Sequence, residues 1–338
     1  MASMPSSAER KAMDKSTATT NRPWYAGLSV AVLGPVIALL IACVFFATQS
    51  DRFLSGANFS LILQQEAVVG VIAIGQTLVI LTGGIDLSCG MLMALGGIVM
   101  TRFATTLGLP VALAVLCGVG VTAAFGLVNG LLVTRIRLPS FIVTLGTMNI
   151  AFAATQLYSG AQTVTDLPPL MTVLGDTFAV GSTNIAWGTV LMLALYGIAW
   201  FMLRETAAGR HVYAVGNNPE ATRLVGIPTQ RVLLVVYVVA GALYGVAALL
   251  SVARTGVGDP NAGQTDNLDA ITAVVLGGTS LFGGRGVIVG SLVGALVVGV
   301  FRNGLTLMGV SSIYQVLVTG VLVILAVTAD QLSRRGAR

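Results

Sequence analysis

Charge is scarce in this 338-residue chain. Only 9% of its residues are Asp, Glu, Lys or Arg, against roughly 25% in soluble domains, which excludes an ordinary water-soluble globule. Lysine occurs only at Lys11 and Lys15. No G-x-x-x-x-G-K-[ST] stretch exists, so a phosphate-binding loop of that kind is missing and ATP hydrolysis within this chain is not expected. His211 is the only histidine and lies in the hydrophilic connection 204–230, which removes a His-based metal cluster or a Ser-His-Asp triad within a span. Cys43, Cys89 and Cys117 are the only cysteines. They lie in or beside apolar segments, form neither a disulfide framework nor a zinc spacing, and read as small packing residues. The chain reads as a non-enzyme with no cofactor. Its net charge of +5 comes without an aromatic-interleaved basic patch, so no nucleic-acid partner is expected.

Apolar character dominates instead. Apolar residues make up 55% of the chain, mean hydropathy is +0.90, and there are 41 glycines, which are more frequent in membrane helices than in soluble ones. Apolar segments fall at 24–47, 61–81, 85–105, 109–134, 139–158, 185–203, 231–253, 268–282, 286–308 and 311–329. At about 20 residues per span, this predicts an all-α integral membrane protein of about ten transmembrane helices. A disordered basic tail over 1–23 precedes the membrane domain at 24–329, and a second basic tail follows at 330–338. With both termini cytoplasmic, all basic residues except Arg52, Arg102, Arg254 and Arg302 fall inside, which is 18 − 4 = 14 of 18. The positive-inside rule favours that orientation.

Acidic residues central to a span are missing too. Glu66 and Asp86 lie near span ends, Asp269 begins the eighth segment, and Arg302 lies late in the ninth. A self-sufficient secondary carrier usually needs mid-membrane acids, so that class is the weaker alternative. Small residues four apart, Gly126 and Gly130, Gly241 and Gly245, and Gly286, Gly290 and Gly294, mark faces for close helix packing. Gly90, Ala94, Gly97 and Thr101 form another such face.

Two chain breaks interrupt the apolar pattern. One holds Gly83, Gly84, Asp86 and Ser88; the other begins at Gly277-Gly278. Lipid cannot satisfy free backbone groups, so a break needs water or buried protein around it. Asp86 reads either as an N-cap of the following helix or, with the glycines, as a gate element. The second break carries the same alternatives.

Uncharged polar residues inside the spans offer a path for a neutral, hydroxyl-rich solute. The candidates are Gln76, Asn149, Gln156 and Asn303, with Asn129 and Gln315 extending the set. In the fifth segment Ser140, Thr144, Thr147 and Thr155 share one helical face, and Asn149 and Gln156 the opposite one. The Asn149 face is favoured for the path, because carboxamides both donate and accept. The hydrophilic connection 204–230 contains Gly216-Asn217-Asn218-Pro219-Glu220-Ala221. Asn218 is placed to cap a short helix with Pro219 first and Glu220 in its first turn, ended by Gly226 and Pro228. A short capped helix between spans suits docking of a cytoplasmic partner.

Several blocks resemble the ribose-type permeases of bacterial ATP-binding-cassette importers, the ribose/xylose/arabinose/galactose group. They are Ile80-Leu-Thr-Gly-Gly-Ile-Asp-Leu-Ser88, Phe141-Ile-Val-Thr-Leu-Gly-Thr147, Val212-Tyr-Ala-Val-Gly-Asn-Asn-Pro-Glu-Ala221, and Leu268-Asp-Ala-Ile-Thr-Ala-Val-Val-Leu-Gly-Gly-Thr-Ser280 with Asn303-Gly-Leu beyond. The chain departs from the family pattern at Ala151-Phe152 and at Arg302. The resemblance implies a multi-pass permease of the bacterial cytoplasmic membrane that moves a monosaccharide such as ribose or xylose, or a related polyol. The implied partners are cytoplasmic ATP-binding subunits, a periplasmic or extracellular sugar-binding protein, a second permease copy (identical or a close paralogue) and membrane lipid. Segment 204–230 is then the ATPase-coupling element.

Overall fold

The computed structural model describes residues 26–336 apart from position 182; the tail expected over 1–23 lies outside the described residues. The helices are α1 (Ala26–Gln49), α2 (Gly56–Leu81), α3 (Cys89–Thr105), α4 (Val111–Leu131), α5 (Ser140–Ser159), α6 (Trp187–Glu205), α7 (Ala207–Asn217), α8 (Pro219–Leu224), α9 (Thr229–Thr255), α10 (Asp266–Leu276), α11 (Ile288–Leu307) and α12 (Ser312–Gly336). Each of the ten apolar segments has its helix. Six of these helices, α2, α4 with its following π turn, α5, α6, α9 and α11, are long and apolar enough to cross a bilayer.

Helix α2 lies at the centre, and its stretch from Glu66 to Leu81 is buried without interruption. Helix α9 packs on α2, α3 and α4, while α11 packs on α1, α2 and α10. The small-residue faces do meet as helix contacts. Gly241 and Gly126 approach so closely that a Cβ on Gly241 would stand 3.2 Å from the Gly126 Cα. Such contacts replace the hydrophobic drive that lipid does not supply between helices.

Five local features differ from the sequence expectation or add to it. The eighth segment yields only α10, 11 residues long, about 16 Å at 1.5 Å per residue; Gly278 at φ +84° ends it. Helix α3 starts at Cys89 rather than 85, because residues 85–88 are held in a non-helical turn by side chains. Segment 204–230 holds two helices, α7 as well as the expected α8, and α8 already ends at Leu224. The connection 159–184 is not a bare loop. It carries a hairpin of β1 (Thr177–Val180) and β2 (Thr183–Ala186), with Phe178 opposite Ile185 and the Phe178 ring 4.6 Å from that of Trp187. Helix α12 also continues past 329 to Gly336.

Candidate functional site

The two chain breaks and the α7–α8 pair meet at one end of the bundle. The amide of Gly284 donates to the carbonyl of Leu81 at 2.9 Å, tying the second break to the first. The last turn of α7 lies on this pair. A Cβ on Gly216 would overlap the Leu81 carbonyl and stand 2.6 Å from the Gly284 amide nitrogen. Only glycine permits that approach. Gly284, at φ +72°, faces Asn217 across the same contact. The Tyr213 hydroxyl of α7 donates to the Gly286 carbonyl at 2.9 Å. Burial raises the Tyr213 phenol above its ordinary value.

Beyond Gly216 the chain turns to solvent. Asn217, Asn218, Pro219, Glu220 and Ala221 are exposed. The Asn218 side chain accepts from the Glu220 and Ala221 amides at 3.1 and 2.9 Å, so α8 is capped as its sequence predicts. Leu224 and Val225 are more than three-quarters exposed at its end. This apolar tip is not legible in the sequence, because exposure of two aliphatics in a connection depends on what packs around them.

The first break is built from side chains. Asp86 is buried, and its Oδ1 accepts from the Ser88 amide and hydroxyl at 2.9 and 2.6 Å. Tyr244 of α9 donates to Oδ2 at 3.2 Å. Asp86 therefore is not the N-cap of α3: that position is Ser88, which makes no side-chain capping bond. The carboxylate turns into protein because Ser88 and Tyr244 both supply donors there. Gln76 donates to the Asp86 carbonyl, and Asn129 of α4 to the Ser88 hydroxyl at 3.2 Å. Helix α5 closes the turn. The Ile85 amide donates to Ser140 Oγ and the Leu87 amide to Thr144 Oγ1, each at 3.1 Å. These contacts satisfy a broken backbone at membrane depth.

The two faces of α5 thus have different surroundings. Thr144, Thr147 and Thr155 are buried, whereas Asn149 is exposed and donates only to Leu145 one turn back. Gln156 donates to the Pro260 carbonyl and to Asn261 Oδ1 at 3.3 and 3.0 Å. Asn303 lies elsewhere, paired amide to amide with Asn58 at 2.8–2.9 Å. Gln76, Asn149, Gln156 and Asn303 do not converge on one spot. Gly277 sits where α10 ends against Gly290 of α11, and Gly278 is exposed beside it. The unusual Arg302 has a structural partner: its Nη1 lies 3.1 Å from Asp269 Oδ2. Among the described residues no group of acidic, Cys or His side chains is arranged to hold a metal.

Comparison with known proteins matches residues 58–327 to the family described as branched-chain amino acid transport system / permease component. The fructose import permease protein FrcC of Rhizobium meliloti is 44% identical over 309 residues, 90% of this chain and 86% of that protein. The ribose import permease protein RbsC of Escherichia coli K12 is 42% identical over 301 residues, covering 87% of this chain and 92% of that protein. The galactose/methyl galactoside import permease protein MglC of the same strain is 32% identical over 312 residues, 88% and 92% of the two chains. No solved structure matches.

Proposed function

The chain belongs to the branched-chain amino acid transport system / permease component family, and from that membership we propose that it is the membrane-spanning subunit of an ATP-binding-cassette importer for a monosaccharide, ribose, xylose or a related sugar or polyol. Relatives named for fructose, ribose and galactose import support this solute class. The carrying observation is the seating of α7 on both chain breaks through Gly216, while α8, tied to α7 by Thr222, exposes all of its other residues. An outside protein that moves α8 moves the two breaks with it.

The chain performs no covalent chemistry in this reading. Cytoplasmic ATP-binding subunits grip residues 216–221 and the Leu224–Val225 tip. A periplasmic or extracellular sugar-binding protein delivers solute to the opposite end. Both termini face the cytoplasm of a bacterial cell, and lipid surrounds the bundle. Two copies, identical or closely related, form the pathway between them. The exposed Asn149, with Gln156 further along α5, is its proposed polar lining. Gln76 and Asn303 serve the path in this reading from separate places in the chain, Gln76 through Asp86 and Asn303 through Asn58. Gly83, Gly84, Asp86, Gly277 and Gly278 form the element that the coupling helices shift.

The test is co-isolation of the chain with the ATP-binding subunit of its own operon from detergent extracts. Leu224→Asp with Val225→Asp should release the ATPase while leaving the permease in the membrane. Undiminished co-isolation would remove α8 from the coupling role.

A further inference from the structure

A separate cavity of about 420 Å³ lies at the other end of the bundle, within the single chain. It opens between α2, α3, α9 and the start of α10, away from the α7–α8 junction. That volume falls in the ordinary range of small-molecule sites, about 300–1,000 Å³. Glu66 of α2 lines it, 2% exposed, and Glu66 Oε2 is fully buried without a hydrogen-bond partner. Behind the carboxyl stands Gly299 of α11, where a Cβ would come within 2.6 Å of Glu66 Oε1. The missing side chain at 299 is what gives the carboxyl its room.

Burying a carboxyl oxygen with no donor costs free energy. A bound hydroxyl would remove that cost. The rest of the wall has mixed chemistry. Glu66, Asp259 and Asp266 face Arg254 and Arg302, with carboxamides from Gln65, Asn261 and Gln264 between them. A simple cation or anion would be repelled by part of this wall. A neutral solute with several hydroxyls meets both donors and acceptors, and charged partners make the stronger hydrogen bonds. Val68, Val69, Met93 and Val252 supply an apolar side for the C–H face of a ring.

We propose that this cavity is a binding site for one neutral polyhydroxylated ring, a monosaccharide, held inside each chain before the solute reaches the pathway between copies. The identity of the solute rests on the importer reading; the cavity's chemistry does not.

Ser251 lines the cavity and is partly buried, which makes it a reporter. The full chain carrying Cys43→Ser, Cys89→Ala, Cys117→Ser and Ser251→Cys is placed in liposomes together with its ATPase and binding protein. Labelling of position 251 by a small polar thiol reagent is followed with D-ribose, D-fructose or D-galactose added, and with sodium chloride as control. ATP-driven sugar uptake is measured in the same vesicles. A sugar should slow the labelling at least several-fold, and salt should not. Glu66→Leu should raise the protecting sugar concentration by roughly three- to tenfold, the loss of one hydrogen bond, with Glu66→Gln closer to the parent. Uptake without protection by any sugar overturns the site and leaves the importer reading standing. Protection without uptake supports the site and contradicts that reading. Neither effect overturns both.

Discussion

The Gly284 amide donates to the Leu81 carbonyl at 2.9 Å, and Gly216 is the residue that lets α7 rest on the pair. Three segments far apart in sequence therefore meet at one contact. Gly216→Val should wedge them apart. Expected is a permease that still inserts but whose ATP hydrolysis no longer drives uptake, with Gly216→Ala intermediate. Undiminished transport by both variants, measured with hydrolysis in proteoliposomes, would show that the contact is incidental.

Asn218→Ala removes the two capping bonds of α8. Losing such a cap costs about 1 kcal/mol. Amide hydrogen exchange in 220–224 should then quicken by about fivefold, and Asn218→Asp should restore protection. Exchange unchanged in the Ala variant would mean that packing alone holds α8.

Thr144→Val deletes the acceptor of the Leu87 amide. An orphaned buried donor costs about 1–3 kcal/mol, so the thermal midpoint in detergent should fall. Asn149→Val, on the exposed face, should leave the midpoint nearly unchanged and reduce sugar uptake instead. The reverse pattern would exchange the roles of the two faces of α5.

Asp86→Asn keeps the shape of the first break while weakening its bonds from Ser88 and Tyr244, because charged acceptors bind more strongly. Tyr244→Phe removes one of those bonds alone. Both should lower stability, Asp86→Asn by more, with coupling between them in a double-mutant cycle. Additive effects would place Tyr244 outside the Asp86 network.

Much of this architecture is legible in the sequence, for identifiable reasons. Ten apolar runs register because a helix must satisfy its own backbone in lipid. The Asn218-Pro219-Glu220 cap registers because capping is local. What escapes is non-local. Nothing near Asp86 tells that Tyr244, 158 residues on, takes the oxygen that would otherwise cap α3. Helix α10 looks like a span because its apolar run continues through Gly277-Gly278, and only the backbone turn at Gly278 stops it. Ser140 and Thr144 read as a packing stripe, and their task of satisfying the Ile85 and Leu87 amides appears only once α5 lies beside the break. Glu66 reads as a span-end residue, whereas the fold buries it against Gly299.

The central claim is that this chain moves sugar only when a partner hydrolyses ATP. Purified permease in liposomes, alone and then with its ATP-binding subunit and sugar-binding protein, tests it through uptake of radiolabelled ribose, fructose and galactose. Uptake is predicted only in the complete assembly with ATP inside the reach of the ATPase, and none by the chain alone under sugar, proton or sodium gradients. Robust uptake by the chain alone would contradict the account and make it a self-sufficient carrier or channel.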